Sequence, residues 1–216
     1  MFQSRMVRHG VVILALGLVT PAQALEDARR APLLTGFEST TVRVASRASL
    51  AQRYFVQGML LAWGFNNAEA TRSFASAVDA DPRCALCYWG LAWSLGPNVN
   101  ADMDPGAIAR IREAIVHAQA LAPRSSPRDR GLIDALAARH PASAANALDE
   151  EAYAQSMRTL ARSYPDDADI ATLAAEALMD LHPYDWWDRD GSARPWTPEI
   201  STLLARALAL QPAHPG

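Results

Sequence analysis

The side chains best suited to binding a ligand are concentrated in a loop that begins at His182 and ends at Trp196. Carboxylates and aromatic rings occur together along it. The candidate ligand-binding residues of this loop are Tyr184, Asp185, Trp186 and Trp187. Clustered aromatic rings beside carboxylates are typical of a ligand pocket or a peptide groove. The alternative is a compact loop that packs its own aromatic rings to stay ordered.

The same loop contains the side chains of a candidate metal site. Imidazole and carboxylate groups are common ligands of divalent metals, and the candidates are His182, Asp185 and Asp188. No nucleophile is paired with a base between Leu181 and Pro195, and no Ser, His and Asp order typical of a hydrolase stands out. We therefore expect no catalytic residues, and the sequence identifies no cofactor.

A second candidate site is a polar loop rich in Asn and Asp. Asn98, Asn100, Asp102 and Asp104 carry side-chain oxygens at every second position, and such a set could ligate Ca²⁺. The segment lacks the glycine and the distal glutamate of an EF-hand loop. The alternative is a turn in which Asn and Asp side chains bond to nearby backbone. The candidate ligand-binding residues here are Asn98, Asn100 and Asp102, together with Asn66 in an earlier turn.

Cys84 and Cys87 form a CxxC motif at the start of a predicted helix and are the two cysteines of the chain. Export favours a disulfide or redox pair between them. The alternative, which we favour, is a pair of small, buried, inert side chains, because helical i, i+3 geometry rarely suits an unstrained disulfide. No histidine follows the motif, which excludes haem attachment, and two cysteines cannot form a four-cysteine zinc site.

The elements that position these residues are predicted to be helices in pairs. Between Ala51 and Pro82 the sequence predicts two amphipathic helices joined by a tight turn. Small residues at Gly58 and Ala70 would let the two helices cross closely, and Phe74 would fill the space behind them. This order and spacing is similar to a tetratricopeptide repeat (TPR), a unit of about 34 residues.

Four prolines repeat this pattern along the chain, each closing an apolar helical segment. They are Pro82, Pro123, Pro165 and Pro212, at intervals of 41, 42 and 47 residues. Each interval exceeds the repeat of about 34 residues, and the surplus falls between the first and second helix of a pair. The sequence predicts an all-α fold, a right-handed α-solenoid of about four TPR-like hairpins with inserted intra-repeat loops. The predicted hairpins are residues 49–82, 84–123, 126–165 and 167–212.

The stacking of such hairpins predicts where the loops lie. Turns between the first and second helices of successive repeats project along one edge of a solenoid. We therefore expect the Asn66–Asn67 turn, the Asn98–Asp104 loop and the His182–Trp196 loop to be neighbours.

Three longer strings resemble an exported bacterial TPR protein family with no well-established activity. They are GFNNAEATRSFASAVDADPRCALCYWGLAWSLGPNVNADMDP, YPDDADIATLAAEALMDLHPYDWWDRDG and PWTPEISTLLARALALQPAHPG. The resemblance covers about Gly36 to Gly216 and includes loop residues as well as core positions. It departs at Asn67, where the family often has histidine. Family members also continue past the final HPG, so this chain looks like the N-terminal part of such a protein.

The first residues are typical of an export signal. Arg5 and Arg8 precede a short apolar run, Val11–Val19, and a small-x-small pattern ends at Ala24. The predicted mature chain begins at Leu25. The alternative is an uncleaved anchor, although the run is short for a bilayer span.

Composition agrees with an exported globular protein. The 216 residues carry a net charge of −3, which gives no indication of nucleic-acid binding, and half of them are hydrophobic. No later apolar run predicts a membrane helix. We divide the chain into a signal peptide (1–24), an irregular leader (25–48) and a TPR-like repeat domain (49–216), and we expect a periplasmic or secreted protein.

These patterns lead to two functional hypotheses. The first is a non-enzymatic TPR scaffold that binds a protein or peptide partner. The second is a protein, or an enzyme, that binds a metal or small molecule at the edge formed by the Asn98–Asp104 and His182–Trp196 loops. The last predicted helix, residues 198–210, is apolar on more than one side. From it we expect an exposed apolar strip and self-association through this C-terminal helix.

Overall fold

The computed structural model describes residues 30–36, 44–141 and 147–216, and this part of the chain is all-α. It contains eight α-helices, two single-turn 3₁₀ helices at Pro105–Ala107 and Ala122–Arg124, and two isolated β-bridges. The α-helices are α1 (Ser49–Trp63), α2 (Asn67–Ala80), α3 (Ala85–Leu95), α4 (Ile108–Leu121), α5 (Pro127–Arg139), α6 (Glu150–Ser163), α7 (Ala168–Leu181) and α8 (Thr197–Leu210). The predicted signal segment, residues 1–24, lies outside the described residues. None of the described helices has both the length and the apolar character needed to cross a bilayer.

The helices pack in the order of the chain. Within pairs, α1 packs on α2, α3 on α4, α5 on α6 and α7 on α8, and each predicted hairpin range contains one pair. Consecutive pairs also touch, and α3 contacts both α1 and α5 across the pairs. One hydrophobic core therefore extends through the stacked helices, and the loops between paired helices are carried at fixed positions by it.

Phe74 fixes the contact between the first two pairs. Its ring is fully buried between the backbones of α1 and α3. A β-carbon added at Gly58 would lie 2.8 Å from this ring, and one added at Gly90 would lie 2.4 Å from it. Glycine is required at both positions because any larger residue would occupy the space of the ring.

Side-chain caps start several helices. Asn66, Ser126, Asp149 and Asp167 each accept a hydrogen bond from a backbone N–H in the first turn of the following helix. No side chain caps α1, which begins at Ser49 itself.

The described leader residues lie against the first helix pair in irregular conformation. Gln57 of α1 accepts a hydrogen bond from the Leu34 N–H at 2.8 Å and donates one to the Pro32 carbonyl at 2.9 Å. The Ala31 N–H donates to Ser76 Oγ of α2 at 2.9 Å. Buried polar side chains of the first pair thus satisfy the backbone of the leader.

The segment after α8 returns to the other end of the stack. The His214 side chain is buried, and its Nε2 lies 3.0 Å from Asp169 Oδ1 at the start of α7. Its ring also packs against Trp63 at the end of α1, with 4.8 Å between ring centroids. One imidazole therefore connects the first helix to the seventh.

The last helix is buried on one side. Ile200, Leu203 and Ala207 are buried, whereas Leu208 and Leu210 are exposed. The exposed apolar strip expected from the sequence is thus limited to these two leucines and the partly buried Leu204. Self-association through this helix remains a prediction.

Candidate functional site

Two inserted loops meet at one edge of the helix stack. The Tyr184 hydroxyl, in the loop after α7, donates a hydrogen bond of 2.7 Å to Asn100 Oδ1 in the loop after α3. Within the loop after α3, Asn98 and Ala101 pair through their backbones. Residues 84 positions apart are brought together because each loop is carried by a stacked helix pair.

A cavity of about 640 Å³ lies beneath this contact. Its outer wall is the segment 97–103 together with Pro183 and Tyr184. Its floor is formed by Arg139 at the end of α5, Glu150 at the start of α6 and Asp180 in α7. This volume lies within the range of small-molecule and peptide side-chain pockets, about 300–1,000 Å³.

Arg139 is the centre of an ion-pair network at the cavity floor. Its side chain is only 1% exposed, with Nη2 2.9 Å from Asp180 Oδ2 and Nε 3.0 Å from Glu150 Oε2. The guanidinium also lies 4.8 Å from the centre of the Tyr153 ring. Burial alone would lower the pKa of Arg139, but the charge of Asp180 and the other acidic partners raise it. Arg139 therefore stays charged, held by two carboxylates and a ring face.

Acidic side chains outnumber Arg139 at the cavity floor. Glu176 lies one helical turn before Asp180, and burial together with the Asp180 charge raises the pKa of Glu176 to about 8. Burial also raises the pKa of Asp180, to about 6, although Arg139 opposes the shift. Asp180 Oδ1, Glu176 Oε2 and Arg139 Nη1 are buried, and none makes a hydrogen bond to a described residue. The Val99 N–H acts on the Asp180 carboxylate and lowers its pKa, whereas Oδ1 itself makes no hydrogen bond to a described residue.

His140 is held neutral beside the network. Burial, together with the charges of Arg139 and Arg112, lowers the pKa of His140 to about 4. His140 follows the last residue of α5, and neither of its ring nitrogens makes a hydrogen bond to a described residue.

Two exposed aromatic residues flank the edge in an unusual backbone conformation. Phe65 has φ 58° and is 60% exposed, and Tyr184 has φ 56° and is 69% exposed. They are the two non-glycine residues with positive φ in the described part of the chain. A shallow hollow beside Phe65 shares Pro97 and Asn98 with the cavity. The expected neighbourhood of the Asn66–Asn67 turn and the two loops is therefore present, with an exposed ring at each side.

The predicted metal ligands do not converge. The His182 ring stacks on Trp196, with 3.7 Å between centroids. Asp185 and Asp188 form ion pairs with Arg194, at 2.9 and 3.3 Å. In the part of the chain that the structure describes, no group of three or more His, Cys, Asp or Glu side chains could hold a metal ion. Ring stacking and Arg194 engage these groups in the structure, and metal binding by this loop stays a prediction.

The rest of the His182–Trp196 loop packs on itself. Trp187 and Ala193 form an isolated bridge, and the Trp196 Nε1–H donates to the Asp185 carbonyl at 2.6 Å. Trp186 packs against the core, whereas the Trp187 side chain is exposed. Of the aromatic candidates in this loop, Tyr184 alone lines the cavity.

The Asn and Asp candidates of the other loop largely serve its backbone. Asn98 Oδ1 accepts from the Asn100 N–H at 2.9 Å, and Asp104 Oδ1 accepts from the Gly106 N–H at 2.8 Å. Asn66 Oδ1 accepts from the Glu69 N–H as the cap of α2, at 3.4 Å. Asp102 is exposed at the cavity rim. The alternative of a turn stabilised by its own side chains fits Asn98 and Asp104. Ca²⁺ binding by this loop stays a prediction.

Cys84 and Cys87 form a disulfide in which both residues are buried. The geometric argument against a disulfide assumed that both cysteines are helical, and that assumption is wrong. Cys84 has extended backbone at the N-cap of α3, which brings the two Cα atoms to 5.3 Å. Because neither sulfur is at the surface, the disulfide braces the junction of the first two pairs.

The cavity floor was missed in the sequence. Arg139, Glu150, Glu176 and Asp180 come from three helices, α5, α6 and α7, and no local motif joins them. One signal was present: Glu176 and Asp180 are spaced i, i+4 inside IATLAAEALMDL, which is otherwise almost entirely apolar. Two acids on one face of a buried helix indicate a buried polar site rather than a solvated surface.

Comparison with known proteins adds no family assignment. No protein-family model matches the chain, and no curated protein is significantly similar to it. The functional argument therefore depends on the cavity and on the residues at its edge.

Proposed function

We propose that this protein is a non-enzymatic, exported scaffold that binds a peptide or protein partner along its inserted-loop edge. The proposed architecture is a right-handed α-solenoid of about four TPR-like hairpins. The observation that carries the proposal is the pair of exposed rings at positive φ: Tyr184, which lines the cavity, and Phe65, which lines the adjoining hollow.

The conformation of these two residues favours a binding role. A bulky residue at positive φ is strained, and such strain is found mainly where a functional surface requires it. Leaving a large ring in water also forgoes the stabilisation of burying it, about 1.5–3 kcal/mol per side chain. A partner that covers both rings would recover this free energy, and aromatic anchors of this kind dominate many interfaces.

The cavity chemistry favours binding over catalysis. Among the described residues that line it, none is serine, cysteine or histidine. The buried disulfide is remote from the surface, and His140 and His182 contact no nucleophile. The groups present can position a ligand and neutralise its charge, and none is arranged to attack one.

A small-molecule-binding protein is the second candidate. It is supported by the enclosed floor of the cavity and its volume of about 640 Å³. In this reading the two rings would shield the mouth of the cavity and would not anchor a polypeptide.

Selection from a random peptide display library tests the proposal. We expect enriched peptides with a shared motif to bind the purified protein with micromolar affinity. The double variant Phe65→Ala/Tyr184→Ala should weaken binding by tenfold or more, because both apolar anchors are removed. The matched control is Val116→Ala, which removes an exposed apolar side chain from α4 and should leave affinity unchanged.

Two results would contradict the proposal. One is a selection that enriches no common motif. The other is a set of peptides that bind the double variant as tightly as the original protein. In either case, binding of small molecules at the cavity would become the better explanation of the edge.

A further inference from the structure

We propose that the cavity binds an organic cation, an ammonium or guanidinium group that its ligand presents to the carboxylates of the floor. This deepens the proposed binding function and rests on it. The two sources of such a group in a polypeptide are a Lys or Arg side chain and a free amino terminus.

The charge of the cavity is the first argument. The charged residues that line it are Asp102 from the loop after α3, Arg139 from α5, Glu150 from α6 and Asp180 from α7. Three acids face one base, and Glu176 adds a further buried carboxyl behind Asp180. A cation entering this space would meet an excess of negative charge in a partly enclosed, low-dielectric setting, where the attraction is strong.

An unsatisfied acceptor is the second and independent argument. The Asp180 side chain is 3% exposed and lines the cavity, yet Oδ1 makes no hydrogen bond to a described residue. Buried carboxylate oxygens are nearly always satisfied, because leaving one without a donor is costly. A bound N–H donor with positive charge would satisfy this oxygen better than any neutral group.

The remaining groups suit the atoms next to such a cation. Arg139 Nη1 is a buried donor that makes no hydrogen bond to a described residue. It would donate a hydrogen bond to a carbonyl oxygen close to the cation, and every peptide residue supplies such an oxygen. Tyr184, an exposed ring that lines the cavity, is of a type that binds cations through its face. Burial raises the pKa of Asp180, and a bound cation would reverse that shift.

Access to Asp180 depends on the loop contact above it. Because Oδ1 and Nη1 lie below the molecular surface, the ligand must displace part of the segment 97–103. The hydrogen bond between Tyr184 and Asn100 links that segment to the loop after α7. A cation should therefore bind together with a local change at these two residues, visible in their NMR resonances.

Isothermal titration and ¹⁵N NMR of the purified protein with small probes test the inference. The probes are N-acetyl-lysine methylamide for a side-chain cation, alaninamide for a free amino terminus, N-acetyl-norleucine methylamide as the uncharged isostere, N-acetyl-glutamate methylamide as an anion, and CaCl₂ for a metal ion. We expect at least one of the two amines to bind, tenfold or more tightly than the norleucine compound. Perturbed resonances should map to residues 98–102 and Tyr184.

Two variants test whether the carboxylates of the cavity bind the amine. Asp180→Asn should weaken amine binding tenfold or more, whereas the matched control Glu69→Gln, on the exposed face of α2, should leave it unchanged. If Asp180→Asn fails to fold, Asp102→Asn provides a second variant, because its carboxylate is exposed at the rim. Asp102→Asn should weaken amine binding about threefold and reduce its dependence on salt.

The inference is overturned if the norleucine or glutamate compound binds as tightly as the amines, or if CaCl₂ binds and the amines do not. It is also overturned if amine binding perturbs residues remote from the cavity. These results are separate from those of the peptide selection. Peptides that bind through Phe65 and Tyr184 without a required basic group would leave the proposed function intact and reject the cation site.

Discussion

At the scale of single residues, the decisive feature is a buried set of charges that does not neutralise itself. Arg139 is paired with Glu150 and Asp180, and Glu176 adds a carboxyl that Arg139 does not directly pair with. Such a set costs stability, because the charged Arg139, Glu150 and Asp180 lose hydration and Glu176 is kept uncharged below pH 8. A fold that retains this cost next to a cavity is better explained by ligand binding than by stability.

Because of Glu176, the free energy of unfolding should depend on pH. Its pKa is raised to about 8 in the folded protein, above the value of about 4.3 for an exposed glutamate. Its contribution to stability is therefore full below the unfolded-state pKa and is lost as the pH rises toward 8. Glu176→Gln removes this titration. We expect urea unfolding to show that the variant becomes more stable relative to the original protein between pH 5 and 8, by up to about 4 kcal/mol.

The control for this prediction is Glu69→Gln, which changes an acid on the exposed face of α2. The difference between this variant and the original protein should stay constant over the same pH range. Parallel curves for Glu176→Gln as well would mean that Glu176 is hydrated in solution, and the excess of buried charge would then be smaller than the structure indicates.

At the scale of helices, close crossings determine how the pairs stack. Phe74 of α2 lies between Gly58 of α1 and Gly90 of α3, so one ring sets the spacing of three helices. The disulfide of Cys84 and Cys87 begins α3 at the same junction. The loop after α3, which forms the outer wall of the cavity, is therefore positioned by a rigid support.

Gly90→Ala tests this junction. The added methyl group would lie 2.4 Å from the Phe74 ring, so the ring or a helix must move. Overpacking of this kind typically costs about 1–3 kcal/mol, and a thermal or urea melt should register it. The double variant Phe74→Leu/Gly90→Ala should be more stable than the sum of the two single changes predicts, because the smaller side chain leaves room for the methyl group.

Strict additivity of the two changes would be the contrary result. It would show that Gly90 and Phe74 do not compete for the same space and that α3 meets the first pair in another register.

At the scale of the whole molecule, stacked pairs bring remote loops to one edge and join the ends of the stack. The loops after α3 and α7 meet through Tyr184 and Asn100. On another side, His214 links Trp63 of α1 to Asp169 of α7. These two contacts thus join the first two helix pairs to the last pair.

His214→Ala should loosen this closure. It removes a fully buried ring that touches Trp63, Asp169 and Thr172, and the loss should be about 1–3 kcal/mol in a urea melt. Amide exchange should increase at the end of α1 and the start of α7, and less within α3 and α4. The control is Arg206→Ala on the exposed face of α8. Equal exchange in His214→Ala and the control would show that the contact does not link the two helices.

Much of the helical architecture was predictable from the sequence. Apolar periodicity, capping residues such as Ser126 and the regularly spaced prolines marked all eight described helices, because these signals act within one or two turns. Phe74, Gly58 and Ala70 were recognised as a helix crossing for the same reason. The placement of the surplus residues between paired helices also predicted that the inserted loops would be neighbours.

Tertiary structure decided which side chains form the site. His182 and Asp185 looked like ligands in the sequence, but Trp196 and Arg194 engage them in the folded chain. Whether Cys84 lies inside a helix or caps it could not be read from a CxxC spacing.

Arg139, Glu150 and Asp180 come from three helices, and local pattern contains no information on which buried charges will meet. Periodicity determines which face of a helix is buried. The packing of the pairs determines which side chains from different helices then share one cavity, because burial and Coulomb interactions depend on distance in space and not on distance along the chain.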